Sequence, residues 1–441
     1  MFSNSPLSLS HDIFISQKND KYLFLNPNLP DWLVVNENAA YILSQCDGKN
    51  SVYDIAKKIN RLGRNDITSE VENLIKKALS NSIITLAHDN TPCTEELYTP
   101  NNEQIKSNHK LRIVHLKLTN ECNLRCKYCY ANSGVKSEIL SFNKLVQLAE
   151  EVSSLSPSVE YVLSGGEPLL HPDCLNFTEK IKSNGNQAHL LSNGILINRN
   201  NAERISQLCD LVKISLDGAS EQTHSLTRGK NNYNKVIDAI DLLLGLNVNL
   251  LVAMTVTRKN LHEIPILVNR YGSNLTFQPF FHAGRGRNHE NLALSGKEYY
   301  DSLSSIPGVN PMGAINKVLS RAKKRGIFKC AIGDSEVSVS ESGDVFPCQM
   351  LDDPLFKAGN IYKSSFHDIY YNSKELINIR KLTVNNIQGC ESCPVRLICG
   401  GACRARTFHE QGQIDISGSF CEYERLAFIN GIFDSTTIDS D

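Results

Sequence analysis

The chain has 441 residues, about three domains' worth at roughly 150 residues each. Hydrophobic residues make up 41% and charged residues 21%, which excludes a disordered or fibrous chain. Lys and Arg number 46 against 47 Asp and Glu, a formal charge of -1, so no global field favours nucleic acid or an anionic membrane.

Met1 to Ser10 has neither a basic n-region nor an apolar h-region, and no stretch approaches the roughly eighteen consecutive apolar residues of a membrane span, so a cytoplasmic protein is expected. From Asp12 to about Ala87, strand-like runs Ile13-Phe14-Ile15, Tyr22-Leu23-Phe24-Leu25 and Trp32-Leu33-Val34-Val35 precede three helices. Asn36 can cap the first helix, to Gln45, and Ser51 the second, Val52 to Ile59. Thr68 opens the third, with apolar spacing Val71, Leu74, Ile75, Leu79. Ile83 to Leu86 returns as a strand. Residues 1–87 thus form a winged-helix-like α+β unit. Its basic residues do not outnumber its acidic ones, so no phosphate-binding face is indicated. Residues 88–110, rich in Asn, Thr, Glu and Pro, read as a linker.

From Leu111 the style changes to repeated βα units. Strand-like runs at 113–118, 161–163, 189–191, 211–214, 250–254 and 275–277 alternate with helical stretches such as Phe142 to Leu155 and Tyr233 to Leu244. Six such units imply a parallel α/β sheet over 111–325, open or curled into a partial barrel, with functional loops at the strands' C-terminal ends. In 326–432 short segments punctuated by Gly, Pro and Cys take over, a composition that relies on metal for its fold. Residues 433–441 read as a polar tail.

Fourteen cysteines in a chain with no export signal are poor disulfide candidates, and metal ligation is the leading explanation. Cys122, Cys126 and Cys129, spaced CxxxCxxC, follow the first βα strand. Three thiolates suit an iron–sulfur cluster with one metal position open, or zinc completed by a distant His. Ser164-Gly165-Gly166-Glu167-Pro168 ends the second strand, with glycines that let backbone approach a ligand and a carboxylate that can receive an ammonium; a tight turn would use the same residues. Ser192-Asn193-Gly194, Ser215-Leu216-Asp217-Gly218 and Arg228-Gly229 follow in order.

This series resembles the radical S-adenosylmethionine (SAM) enzymes over about Leu111 to Arg321. The resemblance implies a partial (β/α)6 barrel in which Cys122, Cys126 and Cys129 hold a 4Fe–4S cluster, with SAM chelating its fourth iron. It places Tyr128 beside the adenine and gives the SAM amino group to Gly165, Gly166 and Glu167. Ser192 and Ser215 would face the ribose and methionine, and Arg228 the carboxylate; individually, the serines could equally be strand-end caps. Such chemistry cleaves SAM to methionine and a 5′-deoxyadenosyl radical, fed by a low-potential flavodoxin- or ferredoxin-type donor.

Toward the C-terminus Cys330, Gly343 and Cys348 form Cx12Gx4C, Cys390, Cys393, Cys399 and Cys403 form Cx2Cx5Cx3C, and Cys421 closes the set. A zinc-ribbon pair would share the CxxC spacing. The full pattern resembles the SPASM extension of radical SAM enzymes, which binds auxiliary iron–sulfur clusters and acts mainly on peptides. By that resemblance Cys390, Cys393, Cys399 and Cys421 ligate an outer cluster, and Cys330, Cys348 and Cys403 an inner one. Two such clusters need eight thiolates and the segment has seven; where some relatives carry the eighth, Lys323, Lys324 and Arg325 stand here. The inner cluster then has an open iron able to bind a substrate thiolate, or takes a non-cysteine ligand or a stray thiol such as Cys174 or Cys209.

Pro30-Asp31-Trp32-Leu33-Val34-Val35-Asn36-Glu37, with Ala39-Ala40 and Cys46-Asp47-Gly48-Lys49, resembles the leader-peptide recognition domain related to the pyrroloquinoline-quinone D protein. There an extended leader adds a strand to a sheet edge beside the third helix. The three parts together imply a maturase of a ribosomal precursor peptide that abstracts hydrogen from a core residue and forms a thioether. Carbon–carbon cross-linking, epimerisation and formylglycine formation on a sulfatase are the enzymatic alternatives, and a zinc-containing peptide- or DNA-binding regulator is the non-enzymatic one.

Overall fold

The computed structural model describes residues 4–61, 67–87, 110–135, 139–309, 311, 315–325 and 329–435. Residues 88–109 of the expected linker, Cys93 among them, lie outside the described residues.

Strands β1 (Leu7–Leu9), β2 (Phe14–Lys18), β3 (Lys21–Asn26) and β4 (Asp31–Asn36) lead into α1 (Glu37–Ser44), α2 (Val52–Asn60) and α3 (Thr68–Ser80), then β5 (Ile84–Leu86). Asn36 caps α1 by accepting from the Ala39 amide at 2.9 Å, and Ser51 with Asp54 forms a capping box on α2. β2, β3 and β4 make an antiparallel sheet, while β5 pairs with β1, a strand the sequence reading missed. The sheet buries both faces. Phe24, Leu33 and Val35 pack on the three helices. Leu23, Leu25, Trp32 and Val34 pack instead on Val395, Ile398, Phe428 and Phe433, far along the chain.

The second region is a twisted parallel sheet. β6 (Ile113–Thr119), β7 (Glu160–Gly165), β8 (Gln187–Ser192), β9 (Leu211–Ser215), β10 (Leu250–Val256) and β11 (Leu275–Pro279) lie in sequential order. The connecting helices are α4 (Phe142–Leu155), α5 (Cys174–Ser183), α6 (Arg199–Leu208), α7 (Glu221–Arg228), α8 (Tyr233–Gly245) and α9 (Ile264–Tyr271). Strand period 2 divides the two faces. Leu116, Leu163, Leu190, Val212, Ile214 and Val252 are fully buried under the helices. Ser164, Lys213, Ser215, Ala253 and Thr255 line a cavity on the opposite face.

After α10 (Gly296–Ser304) and α11 (Ile315–Arg325), strand β12 (Glu336–Val339) pairs parallel with β6, then antiparallel with β13 (Asp344–Phe346), which pairs with β14 (Gly359–Asn360). The cysteine-rich segment therefore extends the same sheet to nine strands, beyond the six expected. Helices α12 (Phe366–Asn372), α13 (Lys374–Arg380), α14 (Arg396–Cys399), α15 (Arg404–Gln411) and α16 (Cys421–Ser435) follow. α16 runs into the expected polar tail because Ile432 and Phe433 are buried against β3 and β4. No helix among the described residues is long and apolar enough to cross a membrane.

Candidate active site

The first two βα loops interlock through their backbones. The Gly166 amide donates to Thr119 O at 2.7 Å and the Glu167 amide to Glu121 O at 2.8 Å. A Cβ on Gly166 would sit 2.0 Å from Glu121 O, and one on Gly165, at φ +136°, 2.3 Å from Thr119 O, so only glycine permits this approach. The loop thereby set in place carries the three thiols. Cys122 Sγ accepts from the Leu124 amide at 3.4 Å and faces Asn193 Nδ2 at 3.8 Å, and Arg228 Nη1 lies 4.0 Å from Cys126 Sγ. Burial raises the Cys122 thiol and pushes Cys126 up to about 11.

Behind the thiols a polar network converges on the fully buried Asp217. Its Oδ2 accepts from Arg228 Nε at 2.9 Å, from Thr227 Oγ1 at 2.8 Å and from the Tyr128 hydroxyl, and its Oδ1 accepts from the Thr255 amide at 3.1 Å. The Arg228 guanidinium also lies 5.4 Å from the centre of the Tyr128 ring. On the other side Arg285 Nε donates to Cys126 O at 2.9 Å and its backbone amide to Cys129 O at 3.0 Å, clamping the loop. Asp217 stands in a motif the sequence displayed, without a role of its own; Arg285 lies in Gly284-Arg285-Gly286-Arg287, whose glycines were its only signal.

These groups bound a cavity of about 420 Å³. Cys122, Cys126, Cys129, Tyr128, Gly165, Gly166, Ser192, Ser215 and Arg228 all line it, so nearly every expected contact of the first cluster and of SAM is brought together. Glu167 is the exception. Its carboxylate is fully buried behind the wall, accepting from Ser192 Oγ at 2.8 Å and from the Asn193 amide at 2.8 Å, and burial pushes its pKa up to about 7. Gln349, Met350 and Arg406 from the cysteine-rich segment line the cavity too, and the Tyr130 hydroxyl, next to Cys129, donates to Gln349 Oε1 at 3.4 Å. Lys213, Arg228, Arg285 and Arg406 line the cavity and no carboxylate does, among the described residues.

Cys390, Cys393, Cys399 and Cys421 surround a second, narrow cavity with Arg404 and Arg425, the grouping expected of the outer cluster. Arg404 is buried there and donates to Ile414 O and Ile416 O at 2.9 and 2.6 Å. Cys330, Cys348 and Cys403 share an apolar cluster with Ile332, Leu351 and Phe281, the grouping expected of the inner one. Cys174 and Cys209 lie instead in the apolar core under the helices, away from all three groups, where burial pushes Cys209 up to about 12.

The donor sets fit iron–sulfur clusters. All are sulfur, the donor of such clusters; Cys348 and Cys390 are buried and the other eight are half-buried. Thiols that ring a space suit a polynuclear cluster better than one zinc ion.

Comparison with known proteins agrees. Residues 116–270 match the Radical SAM superfamily and residues 330–394 the SPASM iron–sulfur cluster-binding domain. The AdoMet-dependent heme synthase of Methanosarcina barkeri is 27% identical over 71% of this chain and 96% of its own. The mycofactocin maturase MftC of Mycobacterium ulcerans is 25% identical over 66% of this chain and 82% of its own. In fold, the crystal structure of Streptococcus suis SuiB bound to its precursor peptide SuiA superposes with TM-score 0.59 at 15% identity, covering 94% of this chain and 100% of that one.

Proposed function

We propose that this chain, which carries a radical SAM domain and a SPASM domain and uses SAM and 4Fe–4S clusters, matures a ribosomally made precursor peptide by forming a sulfur-to-carbon cross-link. One observation carries the reading: a single cavity is lined both by Cys122, Cys126 and Cys129 and by Met350 and Arg406, which lie within three residues of Cys348 and Cys403. A substrate segment in that cavity lies between a site where a carbon radical can be made and a site that can take a thiolate.

Bound at the first site, SAM and the cluster supply a 5′-deoxyadenosyl radical for hydrogen abstraction. The protein's share is placement. Asp217 fixes Tyr128 and Arg228 behind the thiols, Gly165 and Gly166 let backbone reach the cofactor, and Ser192 and Ser215 offer hydroxyls from adjacent strand ends.

The N-terminal unit serves as the leader's dock. Within its sheet, among the described residues, β4 pairs only with β3, and Asp31 at its start accepts from Ser82 just beyond α3, so the β4 edge is where an extended leader adds a strand. Trp32 and Val34 pin that sheet to the cysteine-rich segment, which holds the leader at a fixed distance from the cavity. The likeness in fold to SuiB, crystallised with a precursor peptide, and in sequence to a mycofactocin maturase supports a peptide substrate.

The seven thiols favour a thioether over carbon–carbon cross-linking. Epimerisation loses the support of Cys174 and Cys209, which stand behind the sheet. The test is anaerobic incubation with SAM, a strong reductant and the precursor. Formation of 5′-deoxyadenosine together with loss of a titratable peptide cysteine supports the reading. SAM cleavage with every peptide thiol retained refutes the thioether.

A further inference from the structure

Of the cations that line the active-site cavity, Arg228 and Arg285 are committed. Arg228 donates Nε to Asp217 Oδ2 at 2.9 Å, and Arg285 donates Nε to Cys126 O at 2.9 Å and Nη1 to Ser133 O at 2.6 Å. Lys213, on β9, feels the charge of Glu160 at the start of β7. Arg406, in the first turn of α15, is different.

The residue is 9% exposed, and its Nε is buried with no hydrogen-bond partner among the described residues. Its ion-pair contact, from Nη1 to Glu424 Oε1, is 3.9 Å long, which is beyond a hydrogen bond. Glu424 is thus near enough to orient the guanidinium and too far to saturate it. Two rings fix its place: the guanidinium carbon lies 4.4 Å from the ring centre of Phe420 and 5.9 Å from that of Phe281. Ring contacts of this kind hold a guanidinium while its N–H donors stay available. Phe281 also lines the cavity and shares an apolar cluster with Cys330, Cys348 and Cys403, so Arg406 stands where the cavity meets the inner thiol group.

A buried group that is always charged and keeps spare donors is costly until an acceptor reaches it. The acceptor that best matches the planar fork is a carboxylate, which takes two parallel N–H bonds. The cavity wall supplies none among the described residues. SAM brings one carboxylate, for which Arg228, 4.0 Å from Cys126 Sγ, is the cation beside the first cluster.

We propose that Arg406 is a substrate-binding residue that receives a carboxylate of the peptide, either an Asp or Glu side chain close to the modified residue or the peptide's own C-terminus. The inference rests on the reading that a peptide occupies this cavity, and it adds that the bound segment carries an anion.

The test uses the full holoenzyme, reduced anaerobically with S-adenosylhomocysteine in place of SAM, so that the cofactor's carboxylate is present and no radical forms. Three probes are compared: N-acetylglutamate N-methylamide, its glutamine counterpart, and N-acetylalanine, whose carboxylate is a chain end. Relaxation of the probe protons by the reduced clusters reports binding in the cavity. At least one carboxylate probe should bind saturably and about tenfold more tightly than the amide, the scale of one charge-assisted contact, and the tighter of the two identifies the source. This comparison needs no variant. Arg406→Gln should remove the preference, Arg406→Lys should keep part of it, and Lys213→Met should keep it. Equal binding of carboxylate and amide, or a preference that survives Arg406→Gln, overturns the proposal. So does a loss of S-adenosylhomocysteine binding in Arg406→Gln that matches the loss of the probe, because Arg406 would then belong to the cofactor's carboxylate. Absence of iron or of SAM cleavage in the wild type overturns the reading of the site itself, whereas their presence with equal probe binding overturns Arg406 alone.

Discussion

Asp217 and Arg228 form an ion pair at 2.9 Å, 0% and 9% exposed at their side chains, and it sets the guanidinium 4.0 Å from Cys126 Sγ. Asp217 comes from the loop after β9 and Arg228 from the end of α7, so the pair ties two βα units to the cysteine loop. Asp217→Asn leaves the cation buried without its counter-charge, and the stability should fall by about 3 kcal/mol. Anaerobic denaturant titration checks this. The same variant should bind SAM more weakly, because Tyr128 and Arg228 lose their shared acceptor.

Glu167 gives a pH signature. Its folded value, raised by burial to about 7 from the ordinary 4.5, means that the folded state holds a proton that the unfolded state has released between those values. Its contribution is fully present below about pH 4.5 and is lost as pH rises through 7. Relative to Glu167→Gln, which does not titrate, the wild type should lose stability across this window at up to about 1.4 kcal/mol per pH unit. Parallel denaturation series at several pH values measure the difference; a constant gap between the two proteins would contradict the assignment.

Trp32 couples the N-terminal unit to the rest. It is 5% exposed, packs among Ile315, Leu319 and Phe433, and has Lys323 Nζ 4.9 Å from its ring centre. Trp32→Ala should cost about 3 kcal/mol. It should also uncouple the two activities, with SAM cleavage persisting while modification of the precursor falls severalfold. Equal loss of both would show that the unit supports the barrel rather than presents the peptide.

Iron counting separates the cluster sites. Replacing Cys122, Cys126 and Cys129 by Ala should remove about a third of the iron, and replacing Cys390, Cys393, Cys399 and Cys421 a similar share. Zinc without iron after anaerobic purification would contradict all three assignments.

Much of this was legible in the sequence because cysteine spacing reports chemistry directly. CxxxCxxC and the seven later cysteines marked the groups that the fold gathers, and the Gly165-Gly166 pair marked a backbone approach. Asp217 was harder to read: its role depends on Tyr128 from the cysteine loop, Arg228 from the end of α7 and Thr255 from β10 arriving together, and no local pattern encodes that. The addition of β12 to the sheet was hidden in a strand of four residues. The docking of the N-terminal sheet did leave a trace. Leu23, Phe24 and Leu25 form a continuous apolar run, where a strand buried on one face would alternate.

The most direct test of the central claim is the mass of a short cysteine-containing peptide, if one is encoded beside this gene, after anaerobic co-expression with the wild type and with Cys126→Ala. The account predicts the loss of two hydrogens per cross-link and of one titratable cysteine, in the wild type alone. An unchanged mass with the wild type, or the same change with Cys126→Ala, would contradict it.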